Sequence, residues 1–359
     1  MLRTALLFVC ISCVLFTSCE ADTATVSNEE ALDAGRKLEA MANNGDAEGI
    51  AALFDMPSFF ASITKMSRAS RVPRIMNEFK AAYNMTHYTS LLTADGDIRL
   101  LRGHGENGGQ RLIFRWISGK GELNYHAIFL KKIKNVVKVV DAMNYAAGDL
   151  LSGVLAEELD LVIAGSGTAK VEAQAAADID ILNQKENNGD YEGVKEAYRR
   201  LPVEVQQNKR LLLSYIDACQ KTRDSNYVAS VEKLAQLFPI TPGTCLLMIG
   251  ASIQAKDYQK ALLATDKLDE LIGGDPFLNH VRGNVYQLMG KPAESIPFYE
   301  MAYANAPDQM MNLRMMLIAY LKVNDQGKAR KIATACKANK DFNKEDLLLL
   351  QKVYPELLN

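Results

Sequence analysis

The feature that most constrains this chain is an interval. Ala261, Ser295 and Ala329 follow one another at steps of 34 residues, and Tyr286 and Tyr320 keep the same step. A fixed period of this size means one supersecondary unit used repeatedly, each copy burying its apolar face on the next. The clearest copy is Leu278 to Pro307, LNHVRGNVYQLMGKPAESIPFYEMAYANAP. Its apolar positions recur at helical spacing on both sides of Gly290, so it reads as two helices joined at that glycine. Gly283, Ser295 and Ala302 are the small residues needed where paired helices cross closely. A large side chain there overpacks the crossing at a cost of about 1 to 3 kcal/mol.

With Tyr286 and Tyr299 as the aromatic positions and Pro307 ending the unit, this pattern resembles the tetratricopeptide repeat. The neighbours keep its register to different degrees. Asn312 to Ala338 retains Tyr320, Ala329 and Ala333, whereas Gly243 to Gly273 retains Ala261 with Gly250 one residue out of step. Lys209 to Pro239 keeps the helix-pair length and the terminal Pro, and Ala175 to Leu201 keeps Gly189-Asp190-Tyr191 at the turn and Tyr198. Phe342 to Leu358 is expected to be a capping helix, with Leu347 to Leu350 and Val353 covering the last pair. The resemblance implies an all-α superhelix over 169–359 whose concave face, lined by first helices, takes another protein or peptide. On that reading Asn279, Arg282, Tyr286, Arg314 and Tyr320 are the partner contacts. Met310, Met311, Met315 and Met316 lie nearby; Met at helical spacing usually means core, although a flexible cluster also suits several partners. The paired Lys and Asn clamp for a carboxyl-terminal chain end is not evident.

The first half has a different texture. Ala31, Leu32, Ala34, Leu38 and Met41 predict a helix over 29–41, stopped by Asn43-Asn44-Gly45-Asp46. A second helix is expected from Asp46 to about Phe54, with Pro57 as its limit or as a new first turn, and a third over 73–83. Runs rich in β-branched and aromatic residues follow at 97–104, 110–117, 123–132 and 136–143, separated by short Gly- and Asn-containing links. Links this short permit only antiparallel neighbours. Leu112, Phe114 and Trp116 share one face of their strand, as do His126, Ile128 and Leu130. The prediction is a multidomain chain: an α+β domain over 29–164, with helices packed on a curved antiparallel sheet, then the repeat array. A helix over 149–162 leaves the sheet, and Ala164-Gly165-Ser166-Gly167-Thr168 marks the boundary.

Helices followed by a meander ending in VVKVVDAMNYAAGDLL resemble the NTF2-like, SnoaL-like cone. That resemblance implies a bent sheet wrapped around a helix with a pocket at its open end, in a superfamily holding both enzymes and non-catalytic adaptors. The polar candidates are His104, His126, Asp141, Tyr125, Tyr145, Arg102 and Arg115. His126 and Asp141 are the catalytic candidates, because a His beside an Asp in a closed pocket can move protons. Each also has an ordinary reading: a buried His satisfied by one partner, and a buried Asp held by an Arg or a helix N-terminus. Trp116 reads as core rather than a stacking platform. No nucleophile elbow, phosphate loop or HExxH pattern is present, and the glycines at 103–109 precede a strand rather than a helix. No cofactor is implied. Outside the leader there is no CxxC pair, so no metal is expected, and Cys219, Cys245 and Cys336 read as small core residues.

Met1 to Ser18 carries one cation, Arg3, then an apolar run from Ala5 to Phe16. This is the length of a secretory signal and shorter than the roughly 20 apolar residues of a membrane span. Phe16-Thr17-Ser18-Cys19 resembles a bacterial lipoprotein signal, with Phe16 where Leu is usual. It implies lipidation at Cys19, a signal peptide over 1–18 and a tether over 19–28. A plain signal cut after Ala21 and a retained anchor read the same residues. All three place the folded part outside the cytoplasm, in the bacterial cell envelope or periplasm or secreted. A formal net charge of −2, with 23% charged and 48% hydrophobic residues, concentrates no cations and excludes nucleic acid as the main partner. The function expected is an exported, lipid-anchored, non-enzymatic scaffold touching the membrane through its lipid alone. The alternative is a small-molecule-binding or hydrolytic cone with the array as an assembly arm.

Overall fold

A computed structural model of the chain describes residues 25–106, 108–119, 121–164, 170–339, 341–343 and 348. The leader with Cys19, the boundary segment 165–168 and most of the expected capping helix lie outside the described residues.

Five helices open the fold: α1 (Asn28–Asn43), α2 (Ala47–Ala52), α3 (Met56–Met66), α4 (Pro73–Ala82) and α5 (Thr86–Leu92). Their starts are written locally. The Ser27 hydroxyl accepts the Glu30 N–H while the Glu30 carboxylate accepts the Ser27 N–H, a reciprocal cap that satisfies two orphan donors. Asp46 and Asp55 cap α2 and α3 by accepting from Gly49 and Ser58. Pro57 stands in the first turn of α3, so it opens a helix rather than only closing one.

The meander follows as β1 (Gly96–Glu106), β2 (Gly109–Ser118), β3 (Leu123–Ile133), β4 (Val136–Asn144) and a short β5 (Asp149–Leu150), antiparallel in the order β1-β2-β3-β4-β5. Register shifts after Leu100 and Phe129 are bulges that bend the sheet. Phe114 lies opposite His126 and Ile128 opposite Ala142. Leu112, Phe114, Ile128, Leu130 and Ala142 thus join one core with Leu38, Phe59, Ile63 and Leu92 from the helices, and with Ala156 and Leu159 of α6 (Leu151–Ala164). Trp116 is partly buried against the same core.

The second half is a stack of helix pairs: α7 (Lys170–Asn187) with α8 (Tyr191–Arg200), α9 (Lys209–Lys221) with α10 (Asn226–Leu237), α11 (Pro242–Gln254) with α12 (Tyr258–Leu271), α13 (Leu278–Leu288) with α14 (Pro292–Asn305), and α15 (Met310–Lys322) with α16 (Gln326–Ala338). Each pair turns through one left-handed residue, Gly189, Arg223, Lys256, Gly290 and Asn324. These recur at steps of 34, 33, 34 and 34 residues, so even the pairs with little sequence pattern are copies of one unit. Asp190, Asp257 and Asp325 follow this residue and cap the second helix by accepting from Gly193, Lys260 and Lys328. At the α13–α14 crossing a Cβ on Gly283 would lie 2.6 to 2.9 Å from ring carbons of Tyr299. Tyr299, Ser295 and Ala302 are all buried there. Cys219, Cys245 and Cys336 are buried on α9, α11 and α16.

The two halves are not merely tethered. The sheet face opposite the first helices is also apolar: Ile113, Tyr125, Ala127 and Tyr145 share a core with Cys245, Ile249, Ala264, Leu268, Ile272 and Leu278 of the array. Gly243 meets the Tyr145 carbonyl so closely that a Cβ would lie 1.7 Å from its oxygen. The sheet is therefore sandwiched between its own helices and the edge of the array where first helices begin.

Candidate functional site

Several polar residues of the sheet are spent on this docking. The Arg115 guanidinium donates to Asp275 at 2.8 Å and the Tyr125 hydroxyl donates to the same carboxylate at 2.9 Å, all three side chains being buried. Asp275 also accepts the Phe277 N–H at 3.0 Å, which fixes the start of α13. Arg115 lies 4.5 Å above the Phe277 ring, which stacks in turn on His280. The Nδ1 atom of His280 lies 3.2 Å from the Asn312 side-chain oxygen. Arg102 donates to the carbonyls of Gly273 and Gly274. Burial and the Asp275 charge hold the Tyr125 hydroxyl well above its ordinary range, so it stays a proton donor. These residues form a latch, a role that sequence reasoning on a separate sheet domain does not reach. The signal for it was the consecutive apolar residues Leu112-Ile113-Phe114 in β2 and Ala127-Ile128-Phe129-Leu130 in β3, which put apolar side chains on both faces of the sheet.

The catalytic candidates are not brought together. His126 is buried on the helix face, with Nδ1 3.4 Å from the Tyr88 hydroxyl, and burial pushes its pKa down to about 4. Asp141 accepts from the Ser152 hydroxyl and, at 3.2 Å, from the Ser152 N–H, so it tethers the first turn of α6. Burial raises its pKa, and the bonds from Ser152 and Ala142 oppose that rise. In the β3–β4 ladder His126 stands opposite Asn144 and Asp141 opposite Phe129. Three positions along a strand amount to about 10 Å. Among the described residues no group of three or more His, Cys, Asp or Glu side chains converges as metal ligands would.

The five array residues chosen from the repeat pattern are placed unevenly. Tyr320, expected on the open face, is buried with its hydroxyl on Glu300, because the repeat packs it against α14. Arg282 donates to Asp266 and Asp269 on α12 and to the Asn279 side chain. Tyr286 stacks on Phe298 at 5.1 Å between ring centres. Asn279, Tyr286 and Arg314 are half-buried. Met310 and Met316 are core, and Met311 abuts Gly121 in the β2–β3 turn.

The surface that docking leaves open lies elsewhere. A cleft of about 600 Å³ runs between α6 and α9, bordered by Ala146 and Ala147 from the link before β5 and by Leu247 of α11. Val154 and Glu157 project from one wall, and Leu213, Asp217 and Gln220 from the other. This site was not legible as a motif, because its walls come from segments some sixty residues apart, 154–158 and 209–220.

No protein-family model matches the chain, and no curated protein matches it in sequence. Among solved structures, a crystal structure of MamA protein aligns with 50% of this chain and 95% of its own, at 19% identity and a TM-score of 0.40. A second crystal structure of MamA aligns with 48% of this chain and 95% of its own, at 21% identity and a TM-score of 0.37. The repeat architecture itself rests on the recurring turns and the close crossings described above.

Proposed function

We propose that the protein is a protein-interaction scaffold, exported and held at a membrane by a lipid on Cys19, and that its repeat array takes the partner. The observation that carries this reading is the stack of helix pairs with its edge fixed on the sheet and first-helix surface still open beside α9. Repeat stacks of this kind present continuous surfaces suited to extended or helical segments. Of the five array positions first chosen, Asn279, Tyr286 and Arg314 retain surface to offer. Immobilised full-length protein should retain a partner from cell-envelope extracts, and a version with the array's open first-helix surface substituted should not. If capture is indifferent to those substitutions, the scaffold reading fails. Export and anchoring rest on residues 1–19. Cys19→Ser should move the protein from the membrane to the soluble fraction; continued membrane partition would rule out lipidation at that residue.

A further inference from the structure

We infer that the cleft between α6 and α9 takes a cationic segment of a partner protein with apolar side chains flanking its charges. This rests on the scaffold reading and adds the place and the chemistry of contact. Part of the lining is apolar: Leu91 is 51% exposed, and Val154, Leu213 and Leu247 line the space with it. An exposed leucine at the mouth of a concave surface is what an apolar side chain would cover.

The lining is net acidic, with five carboxylates against two cations. Both cations of the cleft are already engaged, Lys209 by Asp149 and the Gly148 carbonyl, Arg210 by Glu158 and the Asn183 side chain. Glu186 accepts from Ser214. Glu157 on α6 and Asp217 on α9 are the remainder: neither has a hydrogen bond or ion pair among the described residues. Burial raises the pKa of both carboxyls; the Asp149 charge adds to the rise at Glu157, while the charges of Lys209 and Arg210 oppose it there and that of Lys221 opposes it at Asp217. A Lys or Arg entering here would meet exposed Glu157 and partly buried Asp217, neither of which has to give up a direct hydrogen bond or ion pair to receive it. The sign excludes nucleic acid, anionic lipid and acidic peptides. A small polycation would satisfy the carboxylates and leave the apolar part of the lining uncovered. The cleft is also composite, with α6 and Leu91 from the first half and α9 from the array, so only the docked chain presents it.

The test is fluorescence anisotropy of a short labelled peptide alternating Lys and Leu, titrated with the full chain. Peptides alternating Glu with Leu and Lys with Ser serve as comparisons. The Lys-Leu peptide should bind most tightly, more weakly as salt is raised, and about tenfold or more weakly to the Glu157→Gln, Asp217→Asn double variant. Charge reversal with Glu157→Lys and Asp217→Lys should shift preference to the Glu-Leu peptide, a gain that misfolding cannot produce. Equal binding of the Lys-Leu and Glu-Leu peptides by the native chain, or an unchanged affinity in the double variant, overturns the assignment. Those results leave the scaffold reading to the capture experiment, which can fail or succeed independently.

Discussion

Two histidines set how this protein should respond to acid. His126 and His280 are each 2% exposed and each pushed down by burial to about 4; at His280 the bond to Asn312 opposes the shift. Above the ordinary titration near 6.5 both are neutral whether the chain is folded or not, and they contribute no pH dependence. Below it the unfolded chain takes protons that the folded chain refuses. Stability therefore falls as pH drops from about 6.5, and levels once the folded state also protonates near 4. Each histidine contributes a slope of up to about 1.4 kcal/mol per pH unit. Asp141, whose pKa is raised, works in the opposite direction and trims the effect. Urea midpoints measured across this window should show the loss, and His126→Phe should shed one proton's share of the slope. The variant should also lose about 1 to 3 kcal/mol at neutral pH, since the buried Tyr88 hydroxyl is left without its ring partner. Parallel pH curves for wild type and variant would mean that His126 takes up its proton as readily in the fold as in the unfolded chain.

At the scale of elements, the helix crossing at Gly283 has no slack. An added methyl would press on the Tyr299 ring, itself fully buried and hydrogen-bonded to Asn284. Gly283→Ala should cost about 1 to 3 kcal/mol, read as a lowered melting temperature; a variant as stable as wild type would show that α13 and α14 separate easily. The same crossing explains what could be read beforehand. Positions that recur every 34 residues recur because helix packing leaves them no choice, so a period finds Ala261, Ser295 and Ala329 reliably. By the same logic it finds residues that pack within the repeat. Tyr286 and Tyr320 stood out for their spacing, and they turn out to pack against Phe298 and Glu300. Contact positions are free to vary and leave no period, which is why the cleft at Glu157 and Asp217 had no signature. The strands were legible from their runs of β-branched and aromatic residues, down to the shared face of Leu112 and Phe114. Helix α3 was legible only as the alternative that Pro57 opens a new first turn, and α5 was not, being a seven-residue segment with no side-chain cap. The second-helix caps Asp190, Asp257 and Asp325 were visible in the sequence and would have firmed the weaker repeats.

For the molecule as a whole, the docked sheet changes what unfolding should look like. Two domains joined by a Gly-Ser link are expected to melt independently, whereas two halves sharing the Ile113, Tyr125, Ile249 and Leu268 core cannot separate without exposing it. The chain has one tryptophan, Trp116 on β2, so its fluorescence reports on the sheet, while the helical circular dichroism comes largely from the array. The two signals should fall at the same midpoint on heating and in urea. Asp275→Ala leaves the Arg115 charge buried without its carboxylate and Tyr125 without its acceptor. Breaking a buried pair on one side costs about 3 to 5 kcal/mol, because the remaining charge stays desolvated. Asp275 belongs to the array and Trp116 to the sheet, so a drop in the fluorescence midpoint on Asp275→Ala must cross the interface between the halves. If the variant lowers the helical signal alone, or if the native chain already melts in two steps, the halves are independent and the composite cleft would not persist in solution.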